Sequence, residues 1–232
     1  MLLQCVMNLN PTLSVVIPTL NAETALANTI QSVRGFSPEI IIADGGSTDE
    51  TSAIAEKFGA KIVRSEKGRG RQLRAGGKAA NGDWLLFLHA DTRLAEDWDG
   101  EAFSFMTDPH NTARAAVFTY QLDDPAPPAR RVERLVAWRT RSLGLPFGDQ
   151  GLLISRAFYD SLGGFRDMPL MEDIEIVRQI GRRRLAVLQS FALTSADKYQ
   201  RGGWWARPVR NVCCQILYFL GMPPSVLVWL YR

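Results

Sequence analysis

Four short stretches of the chain carry side chains that do chemistry. Asp44 closes the apolar run EIIIAD and is followed at once by GGSTDE. His89 and Asp91 stand two apart, after the apolar run LLFL. The segment KGRGRQLR sets Lys67, Arg69, Arg71 and Arg74 among glycines, and MEDIE offers Glu172 and Asp173 side by side. A short carboxylate delivered by an apolar strand suits a hard divalent cation and the phosphates it bridges. A carboxylate within hydrogen-bond reach of a hydroxyl takes its proton. Each stretch also has a plainer reading. Asp44 starts a turn, with Ser47 and Glu50 spaced as a capping box. Asp91 caps a helix, Glu172 and Asp173 favour a helix N-terminus by charge alone, and the arginine run is a solvated face. The combination outweighs its members, because three separate loops with carboxylates suit one edge of one sheet.

The elements that must hold these loops read as an alternation. LSVVIP is a short β-branched strand ended by Pro18, and Leu26, Ile30 and Val33 follow at helical spacing up to Gly35. EIIIAD is a second strand, with Ile54 and Phe58 on one face of the next helix. KIVRS is a third, the glycine-rich basic segment leads into a helix, and WLLFLHAD, through Asp91, is a fourth. Strands alternating with helices predict an α/β fold with a mainly parallel sheet, whose ligands bind outside the carboxyl ends of the strands. Further on, ARAAVFTYQL reads as an antiparallel or edge strand and Val132, Leu135, Val136 and Arg139 as an amphipathic helix. GDQGLLIS gives a short strand, SRAFYDSLGGF a helix stopped by glycines, MEDIEIVRQI a helix opened by acids, and LAVLQSFALTSA the closing strands. This predicts one domain over 1–201 and a hydrophobic extension over 202–232.

Composition narrows the function classes. A net charge of +3 over 232 residues is too small for a broad nucleic-acid footprint. Cys5, Cys213 and Cys214 form neither a disulfide framework nor a zinc pattern, which fits a reducing cytoplasm. The N-terminal MLLQCVMNLNP has no positive n-region and reads as a leader into the first strand. The apolar C-terminal stretch VCCQILYFLGMPPSVLVWLY is cut by Gly221, Pro223 and Pro224, so it suits a buried core or dimer helix pair, or a peripheral membrane contact that brings the chain to a lipid-linked acceptor, better than a span.

In their order and spacing, SVVIPTLNAE, IIIADGGSTDET, GRGRQLRAGGKAANGDWLLFLHADT, GDQGLLISRAFYDSLGGF and MEDIEIVRQI resemble the family 2 glycosyltransferases of the GT-A fold. The resemblance covers most of Ser14 to Gly181. It implies a GT-A-like, Rossmann-type mixed sheet flanked by helices, and inverting transfer of a sugar from a nucleotide-sugar donor to a hydroxyl acceptor. It implies that Pro18, Thr19, Asn21 and Glu23 cradle the nucleotide, that Asp44 beside Gly46 recognises the base, and that Arg69 and Arg71 meet the diphosphate. By the same resemblance, Ala90 and Asp91 belong to the motif that holds Mg²⁺ or Mn²⁺. Asp173 is the general base with Glu172 in support, Gly148, Asp149 and Gln150 form the acceptor side, and Arg201 is a clamp on the diphosphate. Two positions depart from the family pattern. His89 replaces an acid, as a nitrogen that binds the metal, orients a phosphate or ends the strand, and Arg74 stands where many relatives have asparagine. Two alternatives remain: a nucleotide-sugar-binding protein without catalysis, and a sugar-phosphate nucleotidyltransferase. The latter wants a glycine-rich basic segment after the first strand, where PTLNAE offers none.

Overall fold

The computed structural model describes residues 10–36, 38–204 and 206–231. The proposed leader and Cys5 lie outside them. The first half builds β1 (Leu13–Thr19), α1 (Leu26–Ser32), β2 (Glu39–Asp44), α2 (Thr51–Lys57), β3 (Lys61–Arg64), α3 (Arg69–Ala79) and β4 (Trp84–Phe87). β1, β2 and β4 are near-continuous apolar runs because both faces of the sheet are covered there, while β3 is a short, half-exposed edge strand. Val15 and Ile17 of β1 enter the core layer that contains Leu26 and Ile30 of α1, while Val16 enters the opposite layer with Leu73 of α3. A Cβ on Gly76 would come 2.3 Å from Val16 Cγ1, so glycine is what lets α3 lie directly on β1.

The second half adds β5 (Thr92–Leu94), α4 (Trp98–Thr107), β6 (Ala115–Leu122), α5 (Pro127–Leu143), β7 (Leu152–Ser155) and α6 (Arg156–Ser161). After these come α7 (Glu172–Ile180), β8 (Leu185–Thr194), α8 (Asp197–Gly202), α9 (Ala206–Phe219) and α10 (Pro224–Tyr231). All strands form one eight-stranded sheet in the order β3-β2-β1-β4-β7-β6-β8-β5. β1, β2, β3 and β4 pair in parallel, β7 is antiparallel to both β4 and β6, and β8 is parallel to β6. With β5 antiparallel to β8, only β7 and β5 oppose the common direction. The α/β class and mostly parallel sheet expected from the sequence are therefore present.

Local expectations are corrected at four points. β4 ends at Phe87, and 88–91 is a turn closed by Thr92 N–H donating to the His89 carbonyl at 3.2 Å. β5, which follows at once, was not foreseen. β6 is neither an edge nor purely antiparallel, because it lies between β7 and β8. Ser47 and Glu50 form no capping box: α2 starts at Thr51 without a side-chain cap from Glu50, and Ser47 turns to Asp44 instead.

The C-terminal segment packs onto α7. Cys214 and Leu227 are buried with Met171 and Ile174, and Tyr218 Oη donates a 2.6 Å hydrogen bond to Glu175. Glu175 also pairs with Arg166 at 2.8 Å and Arg178 at 3.6 Å. Burial by itself raises the Glu175 carboxyl, but the bonds from Tyr218 and Gln179 and the two arginine charges outweigh it and hold the carboxyl below its ordinary range. Among the described residues no helix is long and apolar enough to cross a membrane. Because a hydrogen bond to a charged acceptor contributes about 1.5–3 kcal/mol, Tyr218→Phe should lower the urea midpoint by an equivalent amount. It should also raise amide exchange in α9 before α7, and equal exchange in both helices would contradict this anchoring.

Candidate active site

The carboxyl ends of β1 and β2 are bound into one rim by their own loops. Asp44, only 4% exposed, accepts from Thr19 Oγ1 at 3.1 Å, from Gly46 and Ser47 N–H at 3.0 Å each, and from Ser47 Oγ. That fills the four lone-pair positions a carboxylate offers. Burial raises the Asp44 carboxyl, yet these bonds overcome it and leave it below the ordinary aspartate range. Asn21 and Glu23 lace the two loops reciprocally. Asn21 Oδ1 accepts from Thr48 N–H at 2.9 Å while Asn21 N–H donates to Ser47, and Glu23 Oε2 accepts from Glu50 N–H at 3.1 Å while Glu23 N–H donates to Asp49. Gln72 of α3 finishes the rim, donating to the Thr19 carbonyl at 2.6 Å and the Ala43 carbonyl at 2.9 Å.

This rim borders a cleft of 770 Å³ lined by Pro18, Thr19, Asn21, Lys67, Arg69, His89, Ala90 and Asp91 among others. Its size is that of a small-molecule site. Arg69, His89, Asp91 and Glu172 also line an adjoining chamber of 100 Å³, which adds Gly148, Asp149 and Asp173. Residues from five separated loops thus meet at one sheet edge. The Ala90 carbonyl is fixed by Thr29 Oγ1 at 2.8 Å, and the Asp91 carbonyl accepts from Ser195 N–H at 3.3 Å.

Glu172 and Asp173 open α7. Met171 immediately before them takes a left-handed φ of 68°, and Asn21 at 52° is the other described non-glycine residue with positive φ. Such a backbone costs roughly 1–2 kcal/mol, and here both instances flank the same site. Asp173 Oδ2 accepts from Gly148 N–H at 3.1 Å and Oδ1 from Ile174 N–H at 2.8 Å. Glu172 is 2% exposed; burial pushes its carboxyl up, and Arg69, 3.5 Å away, opposes that shift. Behind the chamber, Arg139 is 7% exposed, with its guanidinium 3.2 Å from the Phe147 ring centroid and its Nε donating to the Leu145 carbonyl at 2.7 Å. Burial lowers this guanidinium to about 10, against the opposing charges of Asp149 and Asp173.

The donor atoms bear on whether a divalent cation fits. Among the described residues there is no ready-made cluster of three or more candidate ligands. Asp91 and His89 nevertheless bring one carboxylate and one imidazole to the wall that cleft and chamber share, beside the buried Glu172, whose Oε1 pairs with Arg69 at 3.5 Å. A cation that takes most of its oxygens from substrate phosphates and water needs only one or two protein ligands. The residues fit that kind of ion rather than a permanently caged one.

Several expected site residues lie elsewhere. Arg71 faces away from the cleft, paired with Asp167 at 2.7 Å and with Glu66, because two residues along a helix turn by roughly 200°. Arg74 is exposed outside the cleft. Gln150 is 1% exposed and points inward, donating to the Phe118 carbonyl at 3.1 Å and accepting from Thr140 at 3.0 Å. Neither the exposed Glu23 nor the buried Asp44 lines the cleft; both organise the loops that do. The Arg201 side chain lies outside the described residues. Conversely, Gln72 and the two α9 amides Asn211 and Gln215, which line the chamber, were not anticipated. Only the spacing of Asn211 and Gln215, four apart on a helix, signals a shared face.

Comparison with known proteins agrees with this fold. Residues 14–161 match the model of the family described as Glycosyl transferase family 2. An uncharacterized glycosyltransferase of Rickettsia conorii is 34% identical over 116 residues, which is 50% of this chain and 41% of that protein. A PGL/p-HBAD biosynthesis glycosyltransferase of Mycobacterium bovis is 36% identical over 96 residues, 37% of this chain and 38% of that protein. The matched part thus spans about two fifths of these relatives' length. Among solved structures, glucosyl-3-phosphoglycerate synthase from Mycobacterium tuberculosis, with Mn²⁺, UDP and glucosyl-3-phosphoglycerate, superposes with a TM-score of 0.63 at 22% identity, covering 93% of this chain and 82% of that one. A mannosyltransferase from Pyrobaculum calidifontis with GDP-Man and Mn²⁺ gives 0.68 at 18%, covering 94% and 67%.

The Asp44 rim sets a pH dependence. A carboxyl held below its unfolded value, about 3.9, contributes stability that is complete above that value and is lost as pH falls through the folded one. Asp44→Asn should therefore cost about 1–2 kcal/mol at pH 7 in urea denaturation, and the gap from the parent should close as the pH is lowered toward 3. A gap that is constant with pH would remove the carboxylate from this role.

Proposed function

Because the chain belongs to glycosyl transferase family 2, we propose that it moves a sugar from a nucleotide-sugar donor to a hydroxyl acceptor, inverting the anomeric carbon. One observation carries this reading: Asp91 and Asp173 line a single chamber that opens onto a cleft large enough for a nucleotide. The nucleotides and Mn²⁺ bound by the two solved neighbours support a nucleotide donor and a divalent cation here.

The donor's nucleotide lies along Pro18, Thr19 and Asn21, on the rim that Asp44, Glu23 and Gln72 keep rigid. Its diphosphate meets Lys67 and Arg69. Asp91 and His89 would hold a cation, Mg²⁺ or Mn²⁺, which supplies positive charge to the departing diphosphate. Asp173 takes the proton from the acceptor hydroxyl as that oxygen bonds to the anomeric carbon. The bond from that carbon to the phosphate oxygen breaks, and its electron pair leaves with the diphosphate. The Gly148 N–H bond aims the Asp173 carboxylate, and Glu172, held by Arg69, backs it from inside the helix. The free thiols of Cys213 and Cys214 support a cytoplasmic enzyme. Exposed Leu220 and Trp229, at 78% and 79%, support a peripheral contact with the membrane face through the C-terminal segment.

Two measurements test this reading. Asp173→Asn should lower turnover about 100- to 10,000-fold while leaving nucleotide binding intact, and unchanged turnover would falsify the base assignment. In a thermal-shift panel of UDP, GDP and dTDP, one nucleotide should raise the melting temperature, and Mn²⁺ should enlarge the shift in the parent but not in Asp91→Asn. If no nucleotide shifts melting with or without Mn²⁺, the donor reading fails. If nucleotides bind but no sugar moves, a nucleotide-sugar-binding protein without catalysis is the better account.

A further inference from the structure

Between α5 and α9 runs a groove of 350 Å³ that the chemistry above does not use. Val132 and Val136 form its buried floor, while Leu135 and Trp138 on α5 are 46% and 57% exposed and Ile216 and Phe219 on α9 are 53% and 46% exposed. Apolar side chains on two neighbouring helices normally bury one another; here they line an open channel.

The inner end of the channel has a direction. Phe147, Tyr199, Asn211 and Gln215 line both the groove and the chamber that contains Asp173. Two buried polar atoms at this junction have no hydrogen-bond partner among the described residues: Asn211 Oδ1, an acceptor, and Arg139 Nη2, a donor. Buried polar atoms rarely stay unpaired, and a ligand hydroxyl both donates and accepts. Arg139 already faces the charges of Asp149 and Asp173, so the ligand head need not be anionic.

We propose that this groove binds the acceptor, and that the acceptor is an amphiphile: an apolar chain or ring system between α5 and α9, with a hydroxyl-bearing head passing Asn211 to reach Asp173. The proposal rests on the transferase reading above and names the acceptor class for it. Continuity with the chamber is what favours a substrate over a second protein copy, which would cover the groove's outer rim without reaching Asp173.

The test uses the full chain and n-alkyl β-D-glucosides from butyl to decyl, below their micelle concentrations, with binding read by calorimetry and by Trp138 fluorescence. Affinity should tighten about fourfold per methylene until the groove is full and then level off. Val212→Trp, which fills the groove from an exposed position, should abolish the chain-length dependence while leaving the nucleotide-induced thermal shift unchanged. Asn211→Leu should weaken all chain lengths by the same factor. The proposal is overturned if chain length has no effect, or if Val212→Trp shows the same dependence as the parent, which would mean adsorption elsewhere. It is also overturned if sedimentation shows a dimer that Val212→Trp dissolves, because the groove is then a self-interface. If alkyl glucosides bind as expected but no nucleotide does, the groove stands as an amphiphile site and the transferase reading fails. If nucleotides bind and the glucosides do not, only the groove proposal fails.

Discussion

The antiparallel pairing of β7 with β4 decides what can meet at the site. β4 ends at Phe87, whose partner is Leu152, the first residue of β7. The loop entering β7 therefore lies beside the turn leaving β4, and this sets Gly148 and Asp149 against His89 and Asp91. A parallel β7 would send that loop to the opposite edge of the sheet. The register is not set by polarity, because Leu153 and Ile154 are both fully buried, one in each core layer. A strand that is apolar on both faces is free to slip unless its ends are pinned. They are pinned by polar clamps. Gln150 ties the entrance to β6 and α5, while Arg156 N–H and Nε bond the Asp83 and Gly82 carbonyls at the exit, both at 2.8 Å. Gln150 thus acts on the site by fixing where its neighbours lie.

The same juxtaposition concentrates charge where water is scarce. Glu172 and Asp173 are adjacent residues with different surroundings: one is buried and paired with Arg69 at 3.5 Å, the other has both oxygens held by backbone N–H groups. Position in the first turn of α7 favours negative charge on both. Burial disfavours it on Glu172, and a positive charge beyond Arg69 on the chamber side would shift that balance toward the anion. Arg139 plays the converse part from behind, a buried cation facing Asp149 and Asp173. Arg69 with Glu172, and Arg139 with Asp149 and Asp173, pair opposite charges across separate segments of the chain, so these loops do not hold their geometry alone.

What the sequence discloses follows from which forces are local. The strands of the first half are legible because β-branched runs between turn residues have few other solutions; Asp91 is legible because it follows such a run, and Asp173, which opens α7, only through the family resemblance of its segment. Arg69 and Arg71 look equivalent in a basic run, and only the rotation of α3, set by Gly70, Gly76 and Leu73 facing inward, separates them. The end of β4 is invisible for a similar reason. Leu88 remains buried and its N–H still donates to the Val16 carbonyl, so nothing in LLFLHAD marks where the strand gives way to the turn. Ser47 and Glu50 have capping-box spacing, yet the Ser47 hydroxyl donates to the charged Asp44 carboxylate and its oxygen accepts from Asn21 N–H, so no box forms.

The C-terminal segment carries more of the site than its pattern discloses. Its apolar content and its break at Gly221, Pro223 and Pro224 make 202–232 look like an appendage. In the fold, Asn211 and Gln215 wall the chamber, Val228 walls the cleft, and Leu227 is fully buried against the residues that open α7. The reason lies in α9, which carries two working faces. Cys214 and Tyr218 share one face and anchor it to α7; Asn211 and Gln215, four apart, look into the chamber. Val212, Ile216 and Phe219 face the groove. A helix that is polar toward the chemistry and apolar toward a channel separates two tasks in space. On the transferase reading proposed above, the sheet edge fixes the groups that act on the donor, and α9 shapes what approaches Asp173 from the other side. On that reading, substitutions on the outer face of α9 change the acceptor without disturbing the donor rim, because the two walls meet at the chamber.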